Sequence, residues 1–383
     1  MTRSVCVVIT ARASYARIKT LLIAIRERSD LELQLVVAGS ALLGRYGSVI
    51  DVIQKDGFEI NAEVYMVVEG GNLITSAKST GMAIIELAPV FERLKPSIVI
   101  TVADRYETIA TAIASTYLNI PVAHVQGGEV TGSIDEKVRH AVTKLSTIHF
   151  VSTQIARERV IKMGELPEYV FFTGGPSIDL AYLVDQNGGY LTKDDLKTGV
   201  GVVDPQVGDH IVVLQHPVTL EWETAHDQIV ETFEAVGSVD KQIFWFWPNI
   251  DAGSESSSKA LRGFREKGRS GKIRFMRNLR PESFLELINS AMCLVGNSSV
   301  GIREAAFLGV PVVNIGTRQD GRERANNVID VGHSRDRIRE AIDTQIKHRK
   351  YESSELYGDG KAGERIAKLI AESDLPIEKR LAY

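Results

Sequence analysis

The sequence predicts an α/β fold of two successive doubly wound domains, and three observations carry that prediction. Apolar runs of strand length alternate with longer segments of helical pattern; the rhythm stops in a Gly- and Asp-rich passage and then restarts. The third is length: 383 residues exceed what one core of ~100–200 residues comfortably holds. Strict alternation of strand and helix implies βαβ units and a parallel sheet covered on both faces, whose strands read as continuous apolar runs.

Taken in order, SVCVVIT is the first strand and Ser14–Arg28 the helix after it, and LELQLVVA precedes a second helical segment. SIVITVA leads into a helix over 106–117, PVAHV into one over 134–146, and TIHFVS into one over 154–163. QNGGYLTKDDLKTGVGVVDPQVGD has weak periodicity and many turn-forming residues, so it reads as the linker region. The strands resume with HIVVLQ (His210–Gln215), QIFWFW, KIRFMR, AMCLVG and VPVVNI. The expected domains are 1–185 and 186–362, followed by a C-terminal segment, 363–383.

Composition narrows the function. With 44% hydrophobic and 25% charged residues the chain reads as ordinary globular protein, and a net charge of -4 provides no broad basic surface for nucleic acid or anionic lipid. The longest uncharged stretch, Thr108–Gly128, matches a membrane span in length, yet Thr, Ser, Asn, Pro, His and Gln recur through it, so it reads as helix, turn and strand. MTRSVCVVITARA behaves as a first strand and not as a signal peptide. Cys6 and Cys293 fall inside apolar runs and read as buried thiols of a reducing, cytoplasmic compartment. HExxH, CxxC and calcium-type loops are absent, as are the Walker A and GxGxxG patterns, so neither a metal nor a cofactor is expected.

Ligands of doubly wound sheets bind at the carboxyl ends of the strands. In GNSSVGIRE, a helix opening at Ser298 or Ser299 offers unpaired N–H groups and its positive dipole end to a phosphate, and Glu304 could accept from the vicinal hydroxyls of a ribose. Equally, a serine caps the helix and Glu304 is solvated. His216, at a strand end before Pro217, faces a ligand or is a hydrogen-bonded structural histidine. Arg318, Arg322 and Arg324 crowd behind another strand, suiting a diphosphate or forming a solvated basic loop. TARASYARIK puts Arg12 at a strand end with Ser14 as a possible N-cap. ADRYE places Asp104 and Arg105 at the tip of a buried strand, an acid and a base that could also be a surface pair. HVQGGEVTGSIDEKVRHAVTKLS gathers His124, Gln126, Glu129, Asp135, Glu136, Arg139 and His140 around a turn made tight by Gly127 and Gly128. Asp135 or Glu136 with Arg139 also has the spacing of a helix surface pair, while the density of ionisable groups in one loop points to function.

TARASYARIK, ADRYE, HVQGGEVTGSIDEKVRHAVTKL, GGPSID, LQHPVT, WPNIDAGS, GNSSVGIRE, NIGTRQDGRE and YGDGKAGERI, in this order across nearly the whole chain, resemble the hydrolysing UDP-N-acetylglucosamine 2-epimerases. That family includes bacterial enzymes of sialic and legionaminic acid pathways and the epimerase half of the animal bifunctional epimerase/kinase. The resemblance implies the GT-B type, two Rossmann-like doubly wound domains facing a central cleft, with a helix over 363–372 crossing back to the first. It implies conversion of UDP-N-acetylglucosamine, or a 2,4-diacetamido analogue, to UDP and the free 2-epimeric sugar. The hydrogen on C2 is not appreciably acidic, so a base removes it as the nucleotide leaves C1; the glycal then takes up water, with C2 protonated from the opposite face. Such chemistry requires proton-transfer groups on both sides of the ring and a cationic cradle for the diphosphate.

Matching motif to motif, the resemblance makes Asp104 and Asp135 the carboxylate candidates, with Glu129 as a further one and His216 near the diphosphate or sugar. Arg12, Ser298, Ser299 and Arg318 would hold phosphates, Asn249 would sit near them or the sugar, and Glu304 would take the ribose. Ser14, Arg105, His124 and Arg139 would line or support the site. Two positions depart from the family: Ala103 stands where Gly is common, and Gln126 where Glu or His is frequent. An amide is no general base, so that role passes to Asp104, Asp135, Glu129 or His124, while Gln126 could hydrogen-bond an acetamido group. The expected partner is a nucleotide sugar, and the expected assembly a homodimer or homotetramer. Alternatives that fit the same fold are a non-hydrolysing epimerase, a glycosyltransferase and an inactive nucleotide-sugar binder.

Overall fold

The computed structural model describes residues 2–383 except 103, 104, 106, 133, 203, 249–252, 267, 269 and 270. Two compact units divide the chain: Met1–Glu129, Ile134–Leu180 and Tyr357–Tyr383 form the first, Val130–Ser133 and Ala181–Leu356 the second.

The first unit is built on a sheet of β1 (Arg3–Ile9), β2 (Leu31–Ala38), β3 (Ala62–Val64), β4 (Ile98–Val102), β5 (Val122–Val125), β6 (Ile148–Val151) and β7 (Val170–Phe172). They lie in the order β3-β2-β1-β4-β5-β6-β7, every pair parallel. Alternate residues of β1 explain its continuous apolar run: Val5, Val7 and Ile9 join a core with Ile18, Leu22 and Ile25 of the helix Arg12–Arg26, and Cys6 and Val8 join one with Ala83, Leu87 and Phe91 of the helix Leu73–Leu94. The uncharged stretch 108–128 divides into the helix Thr108–Tyr117, a turn with Asn119 at φ 55°, and β5. Among the described residues no helix is long and apolar enough to cross a membrane. Both thiols are buried, and burial pushes Cys6 up to about 12 and Cys293 upward as well, which leaves them unreactive.

The helix Ala362–Glu372 lies against Arg12–Arg26 so closely that a Cβ on Gly363 would stand 2.8 Å from the carbonyl carbon of Thr20. Its first N–H groups are capped from a distant element: Ala362 and Gly363 donate to the Asp179 carboxylate at 2.9 and 2.6 Å. Gly175 donates to the carbonyl of Tyr357 at 2.8 Å, so GGPSID and YGDGKAGERI are joined at two points.

Lys379 ties the chain end down. It donates to the carbonyl of Thr143 at 2.8 Å and lies 2.5 Å from Glu165, which also accepts from Lys144 at 2.7 Å and bonds His149 at 2.9 Å. Burial opposes ionisation of Glu165, yet these bonds outweigh it and hold the carboxyl down at about 2. A glutamate with an ordinary value of 4.5 and a folded value of about 2 contributes its stability in full above pH 4.5 and loses it as pH falls toward 2. Glu165→Gln should therefore be less stable than the wild type to urea at neutral pH, with the gap narrowing as pH falls from 4.5 toward 2. A gap that stays constant would remove this network from the acid limb.

The second unit carries β8 (Val200–Gly201), β9 (His210–Leu214), β10 (Gln242–Phe246), β11 (Ile273–Met276), β12 (Cys293–Gly296), β13 (Val312–Ile315) and β14 (Val328–Val331), in the order β14-β13-β12-β9-β10-β11-β8. All neighbours are parallel except β8, which runs antiparallel on β11. The passage expected as a linker is folded into this unit. Gly189 and Leu191 donate to the Glu286 carboxylate at 2.8 and 2.6 Å, and Arg274 donates to the carbonyls of Val202 and Lys197 at 2.6 and 2.7 Å. Its periodicity is weak because partners far along the chain hold it.

Candidate active site

In each sheet the chain winds outward in both directions from a central pair, β1/β4 in the first unit and β9/β12 in the second. The loops leaving such a pair diverge, and the crevice between them is where doubly wound sheets bind ligands. Of the candidate residues, Arg12 and Arg105 follow β1 and β4, and His216, Ser298 and Ser299 follow β9 and β12.

In the first unit, Arg12 follows β1 as the opening residue of its helix. Burial, and then the charge of Arg105, pushes the Arg12 guanidinium down to about 10. It stays protonated at neutral pH. Arg105, on the loop after β4, is buried and pairs with Glu107 at 2.8 Å, a residue that sequence reading passed over. Asp104 lies outside the described residues. Ser14 is not the N-cap: Ala11 is (φ -154°, ψ 165°), and Ser14 and Tyr15 donate to its carbonyl at 3.1 and 3.3 Å. The helix thus starts two residues early, and Ser14 points inward, its hydroxyl 3.5 Å from that of Thr10.

The loop after β5 is a stack of tight fits. Gln126 donates its N–H to Phe150 at 2.9 Å and holds a left-handed φ of 68°, which typically costs a non-glycine residue ~1–3 kcal/mol. A Cβ on Gly127 would stand 2.9 Å from Nδ1 of His124, and one on Gly128, at φ 77°, 2.4 Å from the carbonyl of Ala156. The His124 ring is wholly buried and lies 3.2 Å from the Thr143 hydroxyl. His124 thus underpins the turn, as a residue that supports the loop after β5 would. Arg139 is also wholly buried, which excludes a surface pair, and its Nη1 donates to the Glu129 carbonyl at 2.8 Å and to Glu136 at 3.0 Å. Glu129 is buried beside this clamp. Asp135 sits half-buried in the first turn of the helix Ile134–Leu145, where the positive dipole end favours its carboxylate.

In the second unit, the ends of β9 and β12 are locked by a residue the sequence reading quoted without a role. Asn297 accepts from the N–H of His216 and donates to its carbonyl, both at 2.8 Å. Gly296 permits that approach, since a Cβ there, at φ 135°, would stand 2.1 Å from the carbonyl of Leu214. Arg318 and Gln319 donate to the Asn297 carbonyl at 3.2 and 2.8 Å, which brings a cation to the tip of β12. The expected helix after GNSS is two short pieces, Ser299–Ile302 and Glu304–Phe307, broken at Arg303 (φ -104°, ψ -74°). Ser298 makes no side-chain cap bond, and the Ser299 hydroxyl accepts from the buried Arg303 at 2.9 Å. Glu304 is 5% exposed, so it is not solvated. Of the clustered arginines, Arg324 is committed to Asp330 at 2.9 Å and to two backbone carbonyls. Asn249 lies outside the described residues.

Known proteins share this plan. A family profile described as UDP-N-acetylglucosamine 2-epimerase matches residues 23–371. The chain is 33% identical over 370 residues to the UDP-N,N'-diacetylbacillosamine 2-epimerase (hydrolyzing) of Legionella pneumophila, covering 97% of this chain and 96% of that one. It is 29% identical over 373 residues to the UDP-N-acetylglucosamine 2-epimerase of Neisseria meningitidis serogroup B, covering 97% and 95%. In fold it resembles the Methanocaldococcus jannaschii UDP-GlcNAc 2-epimerase solved with UDP-GlcNAc and UDP, at a TM-score of 0.80 and 19% identity over 97% of this chain and 100% of that one, so the fold is of GT-B type. Near-complete coverage by profile and relatives, together with two doubly wound sheets, places the chain in the UDP-N-acetylglucosamine 2-epimerase family.

Proposed function

We propose that the chain is a hydrolysing 2-epimerase acting on a UDP-linked 2-acetamido sugar. It eliminates UDP with loss of the C2 proton, then hydrates the glycal and protonates C2 on the other face, releasing the free 2-epimer. The observation that supports this most is the partition of residues between the switch points: Arg12 and Arg105 beside β1/β4, and His216, Ser298, Ser299 and Arg318 beside β9/β12. Hydrolysis is favoured by the Legionella relative, whose name carries it.

In this reading Asp104 and Asp135 exchange protons with C2, with Glu129 as a third carboxylate, and His216 acts beside the departing diphosphate. Arg12, Arg318, Ser298 and Ser299 hold phosphate oxygens, Asn249 borders them, and Glu304 takes the ribose hydroxyls. Gln126 has no proton to exchange, but its amide suits an acetamido oxygen. With the Legionella relative acting on a diacetyl sugar, that favours a 2,4-diacetamido substrate. The meningococcal relative supports UDP-N-acetylglucosamine as the second reading. A cytoplasmic homodimer or homotetramer completes the proposal, the two buried thiols suiting a reducing compartment.

Incubation with UDP-N-acetylglucosamine and with its 2,4-diacetamido counterpart in deuterated water tests it. The expected products are UDP and an equal amount of free 2-epimer carrying deuterium at C2, formed faster from the diacetamido sugar. An epimerised sugar still attached to UDP would exclude hydrolysis.

A further inference from the structure

We propose that Lys379 is a positioning residue for the reaction: it caps the end of the helix Ile134–Leu145 and, through Thr143 and His124, sets the turn that carries Gln126 and Glu129, an inference that rests on the epimerase reading above. All of these residues belong to the first unit. The last carbonyls of a helix have no partner within it, and a lysine there satisfies them while its charge suits the negative end of the dipole. The carbonyls of Thr143, in the last turn, and Ser146, just past it, both accept from the Lys379 ammonium, that of Thr143 at 2.8 Å. The ammonium is itself held, 2.5 Å from the Glu165 carboxylate. Its segment is seated on the turn after the helix Gln154–Lys162, where Ala382 donates to the Gly164 carbonyl at 3.0 Å. Gly164, at φ 91°, leaves room for that seat: a Cβ there would stand 3.0 Å from Cδ2 of Leu381 and 3.1 Å from a ring carbon of Tyr383.

Thr143 is where the cap meets the loop after β5. Its hydroxyl donates to the Arg139 carbonyl at 3.1 Å, one turn back, and lies 3.2 Å from Nδ1 of His124. The same hydroxyl and the same ring bear on Gly127, where a Cβ would stand 3.2 Å from the one and 2.9 Å from the other. Thr143 and His124 are wholly buried, and a close-packed interior passes a shift on to its neighbours. Gln126 directly precedes Gly127, Glu129 lies two residues beyond it, and the Glu129 carbonyl is held at 2.8 Å by Arg139 of the same helix. That helix also bears Asp135. One ammonium thus fixes the end of the helix that carries Asp135 and Arg139, and fixes the residue on which the Gln126–Glu129 turn rests. Lys379 bonds Thr143, Ser146 and Glu165, none of which is proposed to hold phosphate, so its loss bears on the proton transfers and not on the grip on UDP.

The test uses the full-length enzyme. Lys379→Met keeps the aliphatic stem and removes the donor. It should lower kcat for UDP release about tenfold, a fraction of the about 10²-fold that a 1 Å misplacement of a reacting group costs, while the Kd for UDP, measured by calorimetry, stays within about threefold. The path through Thr143 is read from a cycle with Thr143→Val, which deletes the hydroxyl beside His124 and keeps the carbonyl and the shape. In that background Lys379→Met should cost no more than about twofold in kcat. If Lys379→Met does not fold, Thr143→Val decides alone, with the same fall in kcat expected at unchanged UDP affinity. An intact kcat in the variant measured, a joint fall of kcat and UDP affinity, or an equal loss from Lys379→Met in both backgrounds overturns the positioning role. A wild-type enzyme that releases UDP from neither nucleotide sugar overturns the epimerase reading, whereas a wild type that turns over no faster than Lys379→Met overturns the cap alone.

Discussion

Asp135→Asn is expected to slow turnover by ~10²–10⁴-fold while UDP still binds, because a positioned acid or base typically contributes that much to a proton transfer. The substitution keeps the shape and removes only the capacity to exchange a proton. Asp135 is half-buried in the first turn of the helix Ile134–Leu145. It also lies directly beyond the loop that Arg139 clamps. Single-turnover release of UDP, with calorimetric binding of UDP as the control, measures the effect. Near-normal turnover would discard Asp135 as a proton-transfer group and move the role to Asp104 or Glu129.

Arg139→Met should cost stability and activity together. The wholly buried guanidinium joins the Glu129 carbonyl to the Glu136 carboxylate, at 2.8 and 3.0 Å. Breaking a buried pair from one side costs about 3–5 kcal/mol, and the lower end applies because Glu136 is partly exposed and can recover water. The Glu129 carbonyl would also lose its donor, freeing the loop, so kcat should fall by at least about 10²-fold. Urea unfolding and turnover of one preparation measure both. A variant equally stable and equally fast would show that the clamp holds nothing the reaction needs.

Local patterns made much of this legible. Apolar runs such as SIVITVA announce strands buried on both faces, and the alternation with helical segments implies two doubly wound sheets. Short edge strands escaped: AEV, VFF and VIDV (β3, β7 and β14) are too brief for a period-two signal. Ser14 was misplaced because a serine before a helical run is a good N-cap by propensity, whereas Ala11 takes that place through its extended backbone. His124 and Arg139 look like site residues on composition, and nothing in their neighbours says that the fold buries them completely. Asn297 carries no local mark, since its partner His216 lies 81 residues away.

By itself the sequence determined the α/β class, the two-part organisation and the strand tips at which chemistry-bearing residues cluster, because hydrophobic period and strand-end position are local properties of the chain. Only the tertiary structure decided that β1/β4 and β9/β12 are the neighbouring pairs, that Asn297 locks His216, and that Arg139 is a buried clamp. Those relations join residues far apart in the chain, and burial and close approach follow from packing, which no neighbouring residue specifies.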